Sequence, residues 1–340
     1  MDFQKRNLIE LYKMSGEELN HYYRMLRKYE YDNNIPLKSS KIKKRIYFLT
    51  KLMLKIDRIT VGRKLIIYDD KRGDFKNINQ GKIYAASHVG RYDAESSMEA
   101  IDEQVYAVMG DPGATYKTLI NFDGFFLEDM LGRVCCDTGY QELENMKKLK
   151  LGEKIPDDDY NLIKEIKEDR HICEETCIKR LKNHDNILIY PEGAWNITAK
   201  LTQPLFTGTA RMAIKGDGLI MPIGIVRDNK VYTVNMGEPI SVKGADAENK
   251  KDVQDITNEL HEKINSLKGE IIFDDKRPVL KRDDFGTPEE NLRAFIDDIM
   301  SETTNDYTED VIEGSRFFDK DAPENVAFPE RMYKYKVLKK

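Results

Sequence analysis

Two periods of hydrophobic positions alternate along the middle of the chain. Short apolar runs between glycine or charged turns predict strands at about 65–68, 83–87, 105–109, 134–136, 187–189, 219–226 and 231–235. Between them, apolar residues recur at 3.6-residue spacing, and this predicts helices at 94–101, within 140–185, and at 207–215. A further helix is expected over 247–268. Residues 116–131 are mixed and apolar, helical in part. Alternation of this kind from about 65 to 240 predicts an α/β fold. Its core is a mostly parallel or mixed central sheet flanked by helices.

The flanks differ from this core. A helix over 15–31 opens on the capping box Ser15-x-x-Glu18 and closes at Asn33, Asn34 and Pro36. A second helix over about 42–59 carries Lys44, Lys51, Lys55 and Arg58 along one stripe and Ile46, Leu49, Met53 and Ile56 along another. It is either a surface helix packed on the core or an interfacial helix with lysines toward lipid headgroups. Beyond about 270 the chain is acidic, with Pro278, Pro288, Pro323 and Pro329, and one helix is expected over 289–300. The expected division is a basic N-terminal helical segment (1–62), a catalytic-type α/β domain (63–270) with a helical insertion at about 140–185, and an acidic C-terminal extension (271–340). The insertion has an apolar stripe of Leu162, Ile166, Cys173, Cys177 and Leu181. Asp157–Asp159 open it and Lys179, Arg180 and Lys182 close it, in the sense the helix dipole favours. Cys173 and Cys177 on that stripe read as packed thiols; a metal site with His171 is the alternative.

Composition narrows the class. Hydrophobic residues make up 40% of the 340 and charged residues 34%, and the net charge is −5. No apolar run approaches the roughly 18 residues of a membrane span, and the N-terminus lacks the apolar core of a secretory signal. The expected location is cytoplasmic, or peripheral on the cytoplasmic face of a membrane. Four cysteines without a CxxC pair suit neither a disulfide framework nor a structural zinc site. Residues 1–60 hold 14 basic and 7 acidic side chains, and residues 241–340 hold 17 and 24. The basic segment invites an anionic partner. No nucleic-acid motif accompanies it.

The candidate chemistry sits at two strand ends. One strand runs into His88, and Asp93 follows five residues later at the start of a helix. With His88 in the loop and Asp93 on the first helical turn, the carboxylate can fix the imidazole tautomer and leave the other nitrogen as a base. The alternative is that Asp93 caps the helix. The other strand stops at Tyr190-Pro191, and Glu192 and Gly193 follow. Glu192 is either a solvated acid or a residue that organises the loop or binds a substrate hydroxyl. Gly193 allows a ligand to approach the backbone, and its amide is a candidate oxyanion donor. Carboxyl ends of strands are where open α/β sheets build their sites.

These two motifs resemble those of the glycerolipid acyltransferase family, which includes 1-acylglycerol-3-phosphate acyltransferases. The family's N-H-x4-D block is similar to Ser87–Asp93, with Ser87 for Asn. Its F-P-E-G-T-R-S block is similar to YPEGAWN at Tyr190–Asn196, and its V-P block to Met221-Pro222. The G-x-x-F-I-x-R block is matched poorly by Gly132 onward. Arginines that the family assigns to the acceptor's phosphate are replaced by Thr138 and Trp195. Arg91, Arg133 and Arg211 are candidates to compensate, and Trp195 suits a flat or apolar moiety or is a packed aromatic.

The resemblance, over about 65–240, implies an O-acyltransferase acting on an acyl-CoA or acyl carrier protein thioester and a lysophospholipid or glycerolipid-like acceptor. It implies His88 as general base, Asp93 as its orienting partner, and Glu192, Gly193, Gly132, Arg91, Arg133 and Trp195 around the acceptor. It also implies peripheral membrane attachment, and no cofactor or metal beyond the thioester co-substrate. An acyl-thioester hydrolase, or a non-catalytic lipid- or acyl-binding protein on the same scaffold, are the alternatives.

Overall fold

The computed structural model describes residues 10, 13, 14, 16–37, 51, 52, 54–60, 62–69, 75, 78–89, 92–109, 134, 135, 154, 156–193, 205–228, 230–272 and 274. Among the described residues seven strands form one sheet: β1 (Lys64–Ile67), β2 (Lys82–Ala86), β3 (Val105–Met109), β4 (Val134–Cys135), β5 (Asn186–Ile189), β6 (Leu219–Asp228) and β7 (Val231–Met236). The helices are α1 (Gly16–Asp32), α2 (Asp93–Ala100), α3 (Asp157–Lys182), α4 (Gly208–Gly216) and α5 (Lys250–Ile272). Residues 51, 52 and 54–60 are also helical. The expected helix over 289–300, the mixed segment 116–131 and Ser15 of the capping box lie outside the described residues.

Strand order is β1-β7-β6-β2-β5-β3-β4. All neighbours are parallel except β6 and β7, which pair antiparallel. Only two residues separate β6 from β7, too few for a crossover, so a hairpin is the available connection. Pro222 sits within β6, a central strand, although it has no N–H to give a ladder. The antiparallel ladder begins one residue later, at Ile223↔Met236. At Pro222 only the carbonyl is used toward that side, accepting from the Gly237 N–H at 3.0 Å.

Alternation along each strand sorts side chains to two faces. Ile83 and Ala85 of β2, with Ile187 of β5, point into the core beneath α3, α4 and α5. Tyr84 and Ala86, with Leu188 and Tyr190, point into the other core, beneath α2. The same parity carries His88, two residues past Ala86, toward the α2 side. Cys173 and Cys177 are buried in the first core beside Ile178 and Leu181.

The long charged helix α3 begins immediately after Pro156 and ends at Asn183 and His184, where His184 takes φ +60°. Its acids face α1. Arg27 of α1 makes a two-pronged ion pair with Asp169 at 2.7 and 2.9 Å, and the Asp169 side chain is only 2% exposed. Lys28 pairs with Glu168, and Arg24 lies 3.9 Å from Glu165. Part of the basic charge that invited an outside partner is therefore matched within the chain.

Residues 51, 52 and 54–60 bear on the two readings of the second helix. Lys51 binds Asp102 at 3.2 Å and Arg58 binds Glu99 at 2.8 and 2.9 Å. These two bases face the protein, and Leu54 packs on the core beneath α2. On the opposite side Leu52, Ile56 and Ile59 stand in solvent, 47%, 54% and 65% exposed. They recur four and three residues apart and so share one helix face. Ile56 thus belongs to an outward apolar stripe. Ile46, Leu49, Met53 and Lys44 lie outside the described residues.

Candidate active site

Strands β2 and β5 are parallel neighbours, with Ala85 opposite Ile189. Their carboxyl ends therefore deliver the His88 loop and the Pro191–Gly193 turn side by side. Ser87 pins the end of β2. Its hydroxyl accepts from the Ile225 N–H at 2.8 Å and donates to the Ile225 carbonyl at 3.2 Å. A hydroxyl that reaches β6 in this way holds the loop to the sheet.

His88 is partly exposed, with 24% of its side chain accessible, whereas Asp93 is 1% exposed. Asp93 Oδ2 lies 2.6 Å from His88 Nδ1 and accepts the Val89 N–H at 2.8 Å. One carboxylate oxygen thus holds both the ring and the loop that carries it. Asp93 is the first residue of α2, after the N-cap residue Tyr92, which makes no side-chain capping bond. Of the two readings of Asp93, the carboxylate in contact with the imidazole is the one observed.

Glu192 is fully buried, so it is not a solvated acid. Its Oε1 accepts the His88 N–H at 2.8 Å. Gly193 takes φ +67°, a conformation that disfavours a Cβ, and its N–H donates to the Tyr190 carbonyl at 3.0 Å. The glycine closes a turn over Pro191-Glu192. Its amide, a candidate oxyanion donor in the sequence, is engaged with that carbonyl. The His88 and Val89 amides are likewise engaged, with Glu192 and Asp93.

Three residues join the site that motif reading passed over. Tyr190 stacks on His88, with ring centroids 4.5 Å apart and 26° between planes. Its hydroxyl donates to Ser97 Oγ on α2 at 3.1 Å. Burial holds this phenol well above its ordinary pKa, with Asp93 adding to the shift, so it stays a neutral donor. Glu95, on α2, has Oε2 out of solvent and without a hydrogen-bond partner among the described residues. Burial pushes its pKa up to about 7, opposed by its own backbone hydrogen bond and by Arg63, with Asp93 and Asp57 adding to the rise. Arg63, buried, donates from Nη1 to Ser96 Oγ at 2.5 Å and lies 5.3 Å from the Tyr92 ring centroid. The parity of β5 that puts Tyr190 on the α2 face was the available signal for the stack.

Arg91, Gly132, Arg133, Thr138 and Trp195 lie outside the described residues. Arg211 does not stand open for a phosphate: its guanidinium is bound to Glu174 of α3 at 3.1 Å twice. Among the described residues no helix is long and apolar enough to cross a membrane.

A mostly parallel sheet thus carries a histidine–aspartate pair at a strand's carboxyl end, and a buried P-E-G turn follows about a hundred residues on. The family model described as Acyltransferase matches residues 70–226 of the 340. Among solved structures, the chain is similar to the crystal structure of the 1-acyl-sn-glycerophosphate (LPA) acyltransferase PlsC from Thermotoga maritima. The two are 10% identical, with a TM-score of 0.44, over 77% of this chain and 95% of that one. No curated protein matches the chain.

Proposed function

We propose that the protein is an O-acyltransferase that moves a fatty acyl group from an acyl-CoA or acyl carrier protein thioester to a hydroxyl of a lysophospholipid or glycerolipid-like acceptor. One observation carries the reading: a partly exposed imidazole whose Nδ1 lies 2.6 Å from a buried carboxylate, within the segment that matches the acyltransferase family.

In this reading His88 Nε2 takes the proton of the acceptor hydroxyl as its oxygen attacks the thioester carbonyl carbon. The new C–O bond forms, the carbonyl becomes a tetrahedral oxyanion, and Asp93 stabilises the imidazolium. Collapse breaks the C–S bond, and the departing thiolate receives the proton from His88. The products are an ester and a free thiol. Glu192 and Gly193 shape the loop that borders the acceptor. Arg91 and Arg133 are the proposed partners of an acceptor phosphate, with Gly132 and Trp195 beside them. Leu52, Ile56 and Ile59 provide the apolar face by which the enzyme rests on a bilayer, where the acceptor resides.

The test is incubation of the purified protein with isotope-labelled acyl-CoA or acyl carrier protein and a panel of lysolipids, with products read by mass spectrometry. The expected result is a diacyl product with the wild type and none with His88→Ala at unchanged circular dichroism. Free fatty acid alone identifies a hydrolase. His88→Ala at near wild-type turnover removes the base from the mechanism.

A further inference from the structure

We infer that Tyr190 is a positioning residue for the base: its ring is the wall against which the His88 imidazole lies, and its hydroxyl ties that wall to the helix that supplies Asp93. The inference rests on the proposed acyl transfer for its catalytic readout, and on geometry alone for the stack.

An imidazole held at one nitrogen keeps a rotation about the bond to its partner. The Asp93 contact fixes where Nδ1 is, and a second, non-collinear restraint is needed to fix the ring plane. The Tyr190 face, 4.5 Å from the imidazole and 26° from parallel, is such a restraint. The tyrosine is itself constrained. It ends β5, its carbonyl accepts the Gly193 N–H, and its hydroxyl meets Ser97 Oγ. Ser97 is fully buried and stands one helical turn beyond Asp93 on α2. A single side chain thereby couples β5, the His88 loop and α2. The resembled family motif has phenylalanine at this place, so the tether is a property of this chain's Tyr190 and Ser97. A phenol kept protonated by its buried surroundings supplies the donor of that tether.

The variants are Tyr190→Phe, Ser97→Ala, their double, and Tyr190→Leu, compared by steady-state kinetics and by NMR of histidine-labelled protein. The chain has five histidines, and the His88→Gln spectrum assigns the signal. The expected spectrum shows the His88 ring protons shifted upfield by the tyrosine face in the wild type and in Tyr190→Phe, and not in Tyr190→Leu. Since misplacement of about 1 Å costs up to about 10²-fold in rate, Tyr190→Leu should lose roughly that in kcat with KM nearly unchanged. Tyr190→Phe and Ser97→Ala each remove one oxygen and should lose about three- to tenfold, and the double no more than either alone. Wild-type kcat in Tyr190→Leu, or additive losses in the double, overturn the inference. Absence of any transfer by the wild type refutes the proposed function and the catalytic role together, while the ring shift still reports whether the stack exists. Tyr190→Phe and Ser97→Ala guard against a fold defect in Tyr190→Leu.

Discussion

The carboxylate of Glu192 accepts the backbone N–H of His88 at 2.8 Å, across 104 positions of sequence. This bond joins the two motif loops, alongside the stacking of Tyr190 on the His88 ring. It makes the buried acid a clamp on the loop that presents the base. Removing it leaves a buried N–H without a partner, which costs about 1–3 kcal/mol. Glu192→Ala is therefore expected to lower stability by about that amount and to cut acyl transfer more than tenfold. Glu192→Gln keeps an acceptor oxygen and should retain most activity. Urea denaturation and kcat of the two variants check this, and equal losses in both would show that the charge matters beyond the clamp.

Asp93 holds Nδ1 of His88 and the Val89 amide with the same oxygen. Asp93→Asn can place either an oxygen or an NH2 there, and neither arrangement preserves both the negative charge and the tautomer. The loss in kcat should fall in the range of about 10²–10⁴ expected of base catalysis, with circular dichroism unchanged. A loss below threefold would reduce Asp93 to a structural bond.

Glu95 gives a pH signature of the fold itself. Its carboxyl is raised in the folded state to about 7, whereas in the unfolded chain it titrates near the ordinary 4.5 of the same group. Between those values the folded state binds more protons, so this group's contribution to stability falls as pH rises, and it levels off above about 7. Glu95→Gln removes that dependence. Relative to wild type the variant should gain up to about 2–3 kcal/mol between pH 4.5 and 8. Thermal unfolding of both proteins across that window checks the sign, which reverses if the Arg63 attraction outweighs burial.

The outward stripe of Leu52, Ile56 and Ile59 should decide attachment to lipid. Replacing all three with serine is expected to weaken co-sedimentation with anionic vesicles by about tenfold or more. Transfer to a short-chain acceptor dissolved in buffer should be unaffected. Unchanged vesicle binding would assign the stripe to some other partner.

Much of the architecture was legible because each element obeys a local rule. β3 is found at the residues its apolar run marks, and α2 starts at the aspartate that the spacing from His88 singled out. The charged helix was expected over 140–185; its described part runs Asp157–Lys182, from behind a proline to a left-handed residue. His88, Asp93 and Glu192 were also legible, because strand ends followed by histidine, glycine or acid are local patterns. Their partners were not. Gly193 reads as an open backbone until its N–H is seen closing on the Tyr190 carbonyl. Arg211 reads as a spare cation until α3 brings Glu174 to it. Lys51 and Arg58 read equally as lipid-facing or as packed against the protein until α2 and the loop after it supply Glu99 and Asp102.

Residue order alone settled periodicity, element type, the two-faced strands and which chemical groups stand at the strand ends, since these depend on neighbours a few positions away. Only the folded chain decided which donor meets which acceptor. Hydrogen bonds and ion pairs act over about 3 Å, and Glu192 and the His88 amide stand 104 positions apart in the chain until the parallel register of β2 and β5 brings them together.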